Sequence, residues 1–397
     1  MKNVQSNDNK GKCPVCNATH VSIFVEILNV PVHCNRLWSS REDARRAPRG
    51  DIRLGFCKDC GHIFNLAFDP LAMKYDQDYE SSLHFSPTFQ EYARSLAERL
   101  ITHYDLRHKQ VVEIGCGKGE FLHLLCELGE NRGFGFDPGY VPGRVSAIKN
   151  SQITFIQDFY SDCYDCKADL ICCRHVLEHL QKPGDFLADL RHAIDGSDPA
   201  IFFEVPNVLF SLKHGGIWDL IYEHCSYFSG ASLKRLFSLR GFDVLKCRKA
   251  FGGQVLCIEA TPGTTQTKPE RALSHDVQKM AQDVVLFALR YPKQIEHWRN
   301  QLAAMESAGK RVVIWGGGSK GVTFLNVLKI QSQIAYVVDI NPYKQGKYVA
   351  GSGHEIMSPE EVVEYRPDIV IVMNPIYLDE IARYVKKMNF SAELMSV

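Results

Sequence analysis

The chain has 397 residues, 45% of them hydrophobic and 23% charged, with 46 basic and 46 acidic side chains. That is material for two or three domains with an ordinary globular core. Zero net charge offers no electrostatic basis for a nucleic-acid or membrane-surface partner. No run of roughly 18 apolar residues signals a membrane span. The first dozen residues are polar and lack the apolar segment of a signal peptide, so the expected compartment is the cytosol. There the 14 cysteines stay reduced, and paired cysteines more often hold metal than form disulfides.

Residues 1–70 read as a zinc-binding domain. CPVC places Cys13 and Cys16 together, and CKDC does the same for Cys57 and Cys60. Each short spacing forms a knuckle presenting two thiolates, and two knuckles complete the tetrahedral set of structural Zn²⁺. Gly61, just after the second pair, suits the turn. A closed four-cysteine site keeps no position for water, so its expected contribution is to folding. The long gap between Cys16 and Cys57 implies an inserted loop. His33, Cys34 and His62 are further donors in this region that the spacing does not select.

Residues 71–260 alternate strands and helices, the pattern of a doubly wound parallel sheet. Strands are predicted at 110–114, 133–136, 153–156, 169–173 and 200–205, and a helix at 120–128. VVEIGCGKGEF (111–121) is the most informative stretch. Glu113 closes a strand, and Gly115, Gly117 and Gly119 make a tight turn into a helix. Glycines let backbone approach a ligand, and a helix start attracts a carboxylate. This E-x-G-x-G-x-G pattern resembles motif I of class I methyltransferases, which implies S-adenosylmethionine as cofactor. On that reading Glu113, Gly115, Cys116, Gly117 and Phe121 line its site. Asp137, followed by Pro138, ends the next strand where an acid meets ribose hydroxyls. Asp158 and Phe159 follow the third strand and face the adenine. Cys173 ends the fourth, beside Arg174, near the sulfonium.

Three segments concentrate chemistry-bearing side chains near the C-terminal edge of that sheet: DYESSLHFSP (78–87), RHVLEHL (174–180) and WDLIYEHCSYF (218–228). Histidines beside carboxylates suit proton abstraction. The candidates are Tyr79, His179, Tyr222, Glu223 and His224. The competing reading makes the histidines capping or packing groups and the tyrosines core aromatics.

TPGTTQTKPE (261–270) reads as a linker. A helical pattern follows at 277–307, with a break expected at Pro292, and then a second strand–turn–helix series. Strands are predicted at 311–315, 335–338 and 369–373, with a helix at 321–328. Residues 261–397 therefore form a second, smaller Rossmann-like α/β domain. Its GGGSKG turn (316–321) matches G-x-G-x-x-G, with Asp339 some way on. Alone that would be a dinucleotide site; Lys320 also suits a ligand phosphate, and a purely structural turn is the third reading.

Zinc knuckles, motif I, YEHCSYFS, GGGSKGVTFLNVL, VVDINPYKQGKYVAG and PDIVIVMNP occur in this order. The series resembles the sugar C-methyltransferases that act on nucleotide-linked keto-deoxysugars. The resemblance implies Glu223, His224 and His179 at the reacting centre, Tyr79 from the segment before the cofactor domain, and a nucleotide-linked small molecule between the middle and C-terminal units. Methylation of oxygen or nitrogen in another small metabolite is the alternative. A non-catalytic zinc-ribbon binding protein is a third possibility, which the intact motif I disfavours.

Overall fold

The computed structural model describes residues 11–73, 78–144, 152–160, 167–263 and 274–397. After the first cysteine knuckle the chain forms strand β1 (Val21–Pro31), short helix α1 (Arg41–Arg45), β2 (Arg49–Cys57) and β3 (Ile63–Asn65). β1 and β2 are antiparallel, so the insert between the knuckles is a long hairpin with a helix in its connection, where only a loop was expected. Its sheet is completed from far along the chain: β9 (Ser226–Tyr227) pairs with β3, setting Ile63 opposite Tyr227.

The middle unit opens with α2 (Pro87–Tyr104), started by Ser86, whose hydroxyl accepts from the Phe89 N–H at 3.2 Å. There follow β4 (Gln110–Ile114), α3 (Glu120–Gly129), β5 (Arg132–Phe136), β6 (Ile153–Ile156), β7 (Leu170–Arg174), α4 (Pro183–Ala193), β8 (Ala200–Pro206) and α5 (Val208–His214). After β9 come α6 (Gly230–Leu239), β10 (Phe242–Ala250) and β11 (Val255–Pro262). The seven-stranded order is β10-β11-β8-β7-β4-β5-β6, with β11 antiparallel to both its neighbours. β4 and β7 are almost wholly buried, as strands covered on both faces must be. β5 leaves β4 on one side and β7 lies on the other, so the crevice at their C-terminal ends is where a ligand belongs.

The expected linker falls mostly on residues outside the described ones, and β11 runs on to Pro262. Helix α7 (Ser274–Ser307) continues through Pro292 without the expected break. Phe287 lies on one side of the proline and Ile295, Trp298 and Leu302 on the other, all buried in one core. That shared burial outweighs the hydrogen bond lost at the proline. The last unit is β12 (Val312–Trp315), α8 (Ser319–Leu328), β13 (Tyr336–Val338), β14 (Ile356–Met357), α9 (Pro359–Tyr365), β15 (Ile369–Val372), α10 (Leu378–Lys387) and β16 (Glu393–Ser396). Its five strands are all parallel, in the order β14-β13-β12-β15-β16. A single apolar cluster joins the first hairpin, α7 and this sheet, while a second joins the cysteine knuckles to the middle sheet. No described helix is long and apolar enough to cross a membrane.

Candidate active site

The four knuckle cysteines converge. Cys13 and Cys60 sulfurs are 3.5 Å apart, Cys16 and Cys57 sulfurs 3.6 Å, and all four lie within 4.8 Å of one another. Tetrahedral Zn–S bonds of about 2.3 Å place sulfurs roughly 3.8 Å apart, so the donor set fits Zn²⁺. Each knuckle closes on a left-handed residue, Asn17 and Gly61. The spare donors serve elsewhere: His62 bonds the Ser226 hydroxyl at 3.3 Å, the His33 ring lies 3.7 Å from Glu223, and the buried Cys34 thiol faces Thr323.

One cavity of about 730 Å³ runs from the motif I turn to the second glycine turn. Gly115, Gly117 and Gly119 all have positive φ. A side chain at Gly115 would strike Val176 at 2.1 Å and one at Gly119 would strike Phe155 at 2.5 Å, whereas Gly117 faces open space. The turn is thus packed from behind and open in front, the shape of a backbone cradle. Asp137 fixes it, accepting from the Gly117 N–H at 2.9 Å and the Gly139 N–H at 2.7 Å. Burial raises Glu113 to about 8, and its Oε2 has no hydrogen-bond partner. Cys116, Phe121, Pro138, Asp158 and Phe159 also line the cavity. Cys173 does not: it is packed in the core between the sheet and α4, and Arg174 lines the cavity instead. Arg174 stacks 4.0 Å from the Phe121 ring centre and pairs with Glu204 at 3.0 Å.

Opposite the cradle, the turn after the α5 region brings Glu223 and His224 to the cavity. Glu223 is wholly buried. It accepts from the Cys34 N–H at 2.9 Å and the Tyr79 hydroxyl at 3.1 Å. Burial alone would raise its carboxyl, but the His33 ring 3.7 Å away and the nearby His179 hold it below the usual range. His179 Nδ1 lies 3.1 Å from the Glu223 carbonyl oxygen. A carbonyl only accepts, so Nδ1 carries the proton and the lone pair resides on Nε2. His224 meets His179 edge-on, with ring centres 4.9 Å apart. Burial, with help from His179, lowers His224 to about 4, so it is neutral at pH 7 and a weak base.

Tyr222 was expected here and is not. Its ring packs on Phe68 and against Gly50, and its hydroxyl accepts from the Asp69 N–H at 2.9 Å. Successive residues of the turn face opposite sides, so Glu223 points to the cavity and Tyr222 to the first hairpin. Glu204, His175 and Glu178 join the site without having been candidates from the sequence. Glu204, two residues before the end of β8, gathers Arg174, His175 at 2.9 Å and the Tyr92 hydroxyl. An acid two residues before a strand-ending proline, level with the Arg-His of the neighbouring strand, was the available signal.

The far wall comes from the last unit. The Gly317 N–H donates to Asp339 at 2.9 Å, the same device as Gly117 with Asp137. Asp339 also accepts from the Asn341 N–H and lies 3.6 Å from the Lys344 ammonium. Lys320, considered above for phosphate, ion-pairs with Asp219 across the cavity wall.

With a glycine cradle, a strand-end acid and a reversed seventh strand, the fold and site define a class I S-adenosylmethionine-dependent methyltransferase. Residues 86–246 match the family described as a methyltransferase domain, and residues 252–392 match the C-methyltransferase C-terminal domain. The chain is similar to C-methyltransferase NovU of Streptomyces niveus, 27% identical over 290 residues, covering 68% of this chain and 67% of that protein. A tRNA U34 carboxymethyltransferase of Nautilia profundicola is 31% identical over 106 residues, covering 23% and 33%. Among solved structures, magnesium protoporphyrin IX methyltransferase of Synechocystis PCC 6803 with bound SAH overlaps 44% of this chain and 84% of its own, with TM-score 0.34 and 20% identity.

Proposed function

We propose that this methyltransferase transfers a methyl group to carbon, next to the ketone of a nucleotide-linked keto-deoxysugar, through an enolate. The observation that carries the reading is the fixed tautomer of His179. Its Nδ1 lies against the Glu223 carbonyl, which assigns the proton to Nδ1 and the lone pair to Nε2, and its side chain lines the cavity shared by the cofactor cradle and the C-terminal unit. An amine or a hydroxylate needs less help to accept a methyl group; a carbon acid needs a base at the α-proton. S-adenosylmethionine, when bound, supplies the electrophilic methyl group. The chain's own residues do the rest. The motif I turn and Asp137 hold the cofactor, His179 takes the proton, and Glu223 keeps Tyr79 and His179 in register. The length of the cavity, from one glycine turn to the other, suits an acceptor carrying a nucleotide. The cysteine cluster is proposed to hold structural Zn²⁺, in keeping with reduced thiols in the cytosol.

The test uses a panel of nucleoside-diphosphate-linked keto-deoxysugars in D₂O. With S-adenosylhomocysteine in place of the methyl donor, deuterium should enter the α-position, and with S-adenosylmethionine a new C–CH₃ signal should appear by NMR. Methyl transfer to oxygen or nitrogen without α-exchange would replace the carbon reading with the alternative one.

A further inference from the structure

When His179 takes a proton it becomes a cation beside buried groups, and such a charge is favoured by a counterpart. The groups around the His179–His224 pair are Glu178 and His175 from the segment after β7, Glu223 from the same turn as His224, Tyr227 from β9, whose ring faces His224, the Cys225 thiol on the Glu178 carbonyl, and Tyr79 and His33, which both meet Glu223. The Glu223 carboxylate is already committed to Cys34 and Tyr79. Glu178 is different. It is 1% exposed, lines the cavity, and is met only loosely, by the His175 Nδ1 at 3.5 Å from one oxygen. One of its oxygens and one ring nitrogen each of His179 and His224 lie within 4.8 Å of one another.

We propose that Glu178, held in place by His175, is a positioning residue whose carboxylate supplies the fixed counter-charge against which the His179 imidazolium forms. The proposal rests on the proton abstraction inferred above. A buried carboxylate without a cation is costly, and the structure provides one. His175 Nδ1 is 3.5 Å from Glu178, and its Nε2 is 2.9 Å from Glu204. Both ring nitrogens face carboxylates, so both donate. Although burial opposes the charge, hydrogen bonds to Glu178 and Glu204 raise His175 to about 9. To reach both acids His175 adopts φ +55°, a left-handed conformation kept only where the surroundings over-determine it. Arg174 adds the second cation on Glu204. Two cations and two anions therefore balance, and Glu178 is the member of the set turned toward the base.

A merely structural Glu178 would fasten its turn through His175 and leave the imidazoles untouched. The two roles separate in a histidine titration. Protein carrying ¹³C,¹⁵N-histidine is loaded with S-adenosylhomocysteine, and the His179 and His224 signals are followed by NMR against pH in wild type, Glu178→Gln and Glu178→Asp. The two rings are in contact, so both signals are read. Loss of the negative charge in Glu178→Gln should move the His179 midpoint down by about 1–3 pH units. Glu178→Asp, which keeps the charge but retracts it, should move it less in the same direction. Affinity for S-adenosylhomocysteine should stay within about twofold, because that ligand sits on the glycine cradle. A folded Glu178→Gln protein with an unchanged His179 midpoint overturns the proposal. Should that variant not fold, an unchanged midpoint in Glu178→Asp does the same. The readout involves no acceptor, so failure of every panel sugar to react would sink the carbon reading without touching this result.

Discussion

The Cys34 N–H donates to Glu223 Oε1 at 2.9 Å, across 189 residues of sequence. Beside it, β3 pairs with β9, and the Asn65 N–H donates to the Cys225 carbonyl at 3.0 Å. The cysteine-bearing module is thus wired into the turn that carries Glu223 and His224, and its integrity is a condition for the reacting centre.

Metal loss should therefore act on turnover before it acts on the cofactor. Cys57→Ala removes one of four thiolates and frees the start of the strand turn leading to β3. The expected outcome is loss of tightly bound zinc, a lower melting temperature, and a fall in methyl transfer that exceeds any change in S-adenosylhomocysteine affinity. Metal analysis with calorimetry checks it. Full, tightly held zinc in the variant would remove Cys57 from the site.

Asp137 holds two backbone N–H groups as well as the position for ribose. Asp137→Ala loses charge-assisted hydrogen bonds, each of order 1.5–3 kcal/mol, so cofactor affinity should fall by at least tenfold. Because the turn itself is released, Asp137→Asn should recover part of the loss by accepting from one N–H. Calorimetry with S-adenosylhomocysteine on both variants decides, and equal affinity of all three proteins would exclude a binding role.

Glu113 gives a pH signature. Its carboxyl ordinarily titrates near 4.5 and burial raises it to about 8 in the folded, cofactor-free chain. The folded state then holds this proton more tightly than the unfolded one. Its contribution to stability is present below the ordinary value and lost as pH rises toward about 8, at about 1.4 kcal/mol per unit. Glu113→Gln has no such loss. It should melt higher than wild type near pH 8, with the gap closing toward pH 5, while binding S-adenosylmethionine more weakly. A gap independent of pH would show that Glu113 is already ionised.

Eight of the twelve strands in the two Rossmann-like sheets were legible, as short apolar runs ending in an acid or glycine, as at Glu113–Gly115 and Asp137; β10, β14 and β16 are edge strands that are short or half exposed, and the apolar run of β11 was not read. The cysteine cluster was legible from spacing alone. What sequence could not give was the partner of each polar side chain. Glu223 meets Cys34 and Tyr79, and Glu204 meets Tyr92, through contacts set by the packing of three sheets. Nor could it say which way a turn faces. Tyr222 and Cys173 were assigned to the site by position next to residues that do line it, and a shift of one residue sends the side chain into the core. Pro292 failed as a helix breaker because propensity yields to burial on both sides of it.

Tyr222→Phe removes one hydrogen bond, to the Asp69 N–H, and keeps the ring against Phe68. Stability should fall by about 1 kcal/mol, with methyl transfer retained in the folded fraction. A stable variant with a large loss of turnover would return Tyr222 to the reacting centre.

The last prediction separates the two histidines. His224 is neutral with a depressed midpoint of about 4, and it packs edge-on to His179 and near Tyr227. His179 has its Nδ1–H pinned by the Glu223 carbonyl and presents Nε2. If His179 is the base, His179→Ala should lower the single-turnover rate by roughly two to four orders of magnitude, the usual worth of general-base catalysis. It should also abolish α-proton exchange in D₂O and leave S-adenosylhomocysteine affinity near wild type. His224→Ala should lose less rate and more stability, because it empties a packed position rather than removing the base. Below the midpoint of the base the wild-type rate should fall as Nε2 is protonated, and that acid limb should be missing from the residual activity of His179→Ala. The reverse ranking, with exchange surviving in His179→Ala and lost in a well-folded His224→Ala, would transfer the role to His224 and leave His179 as its support.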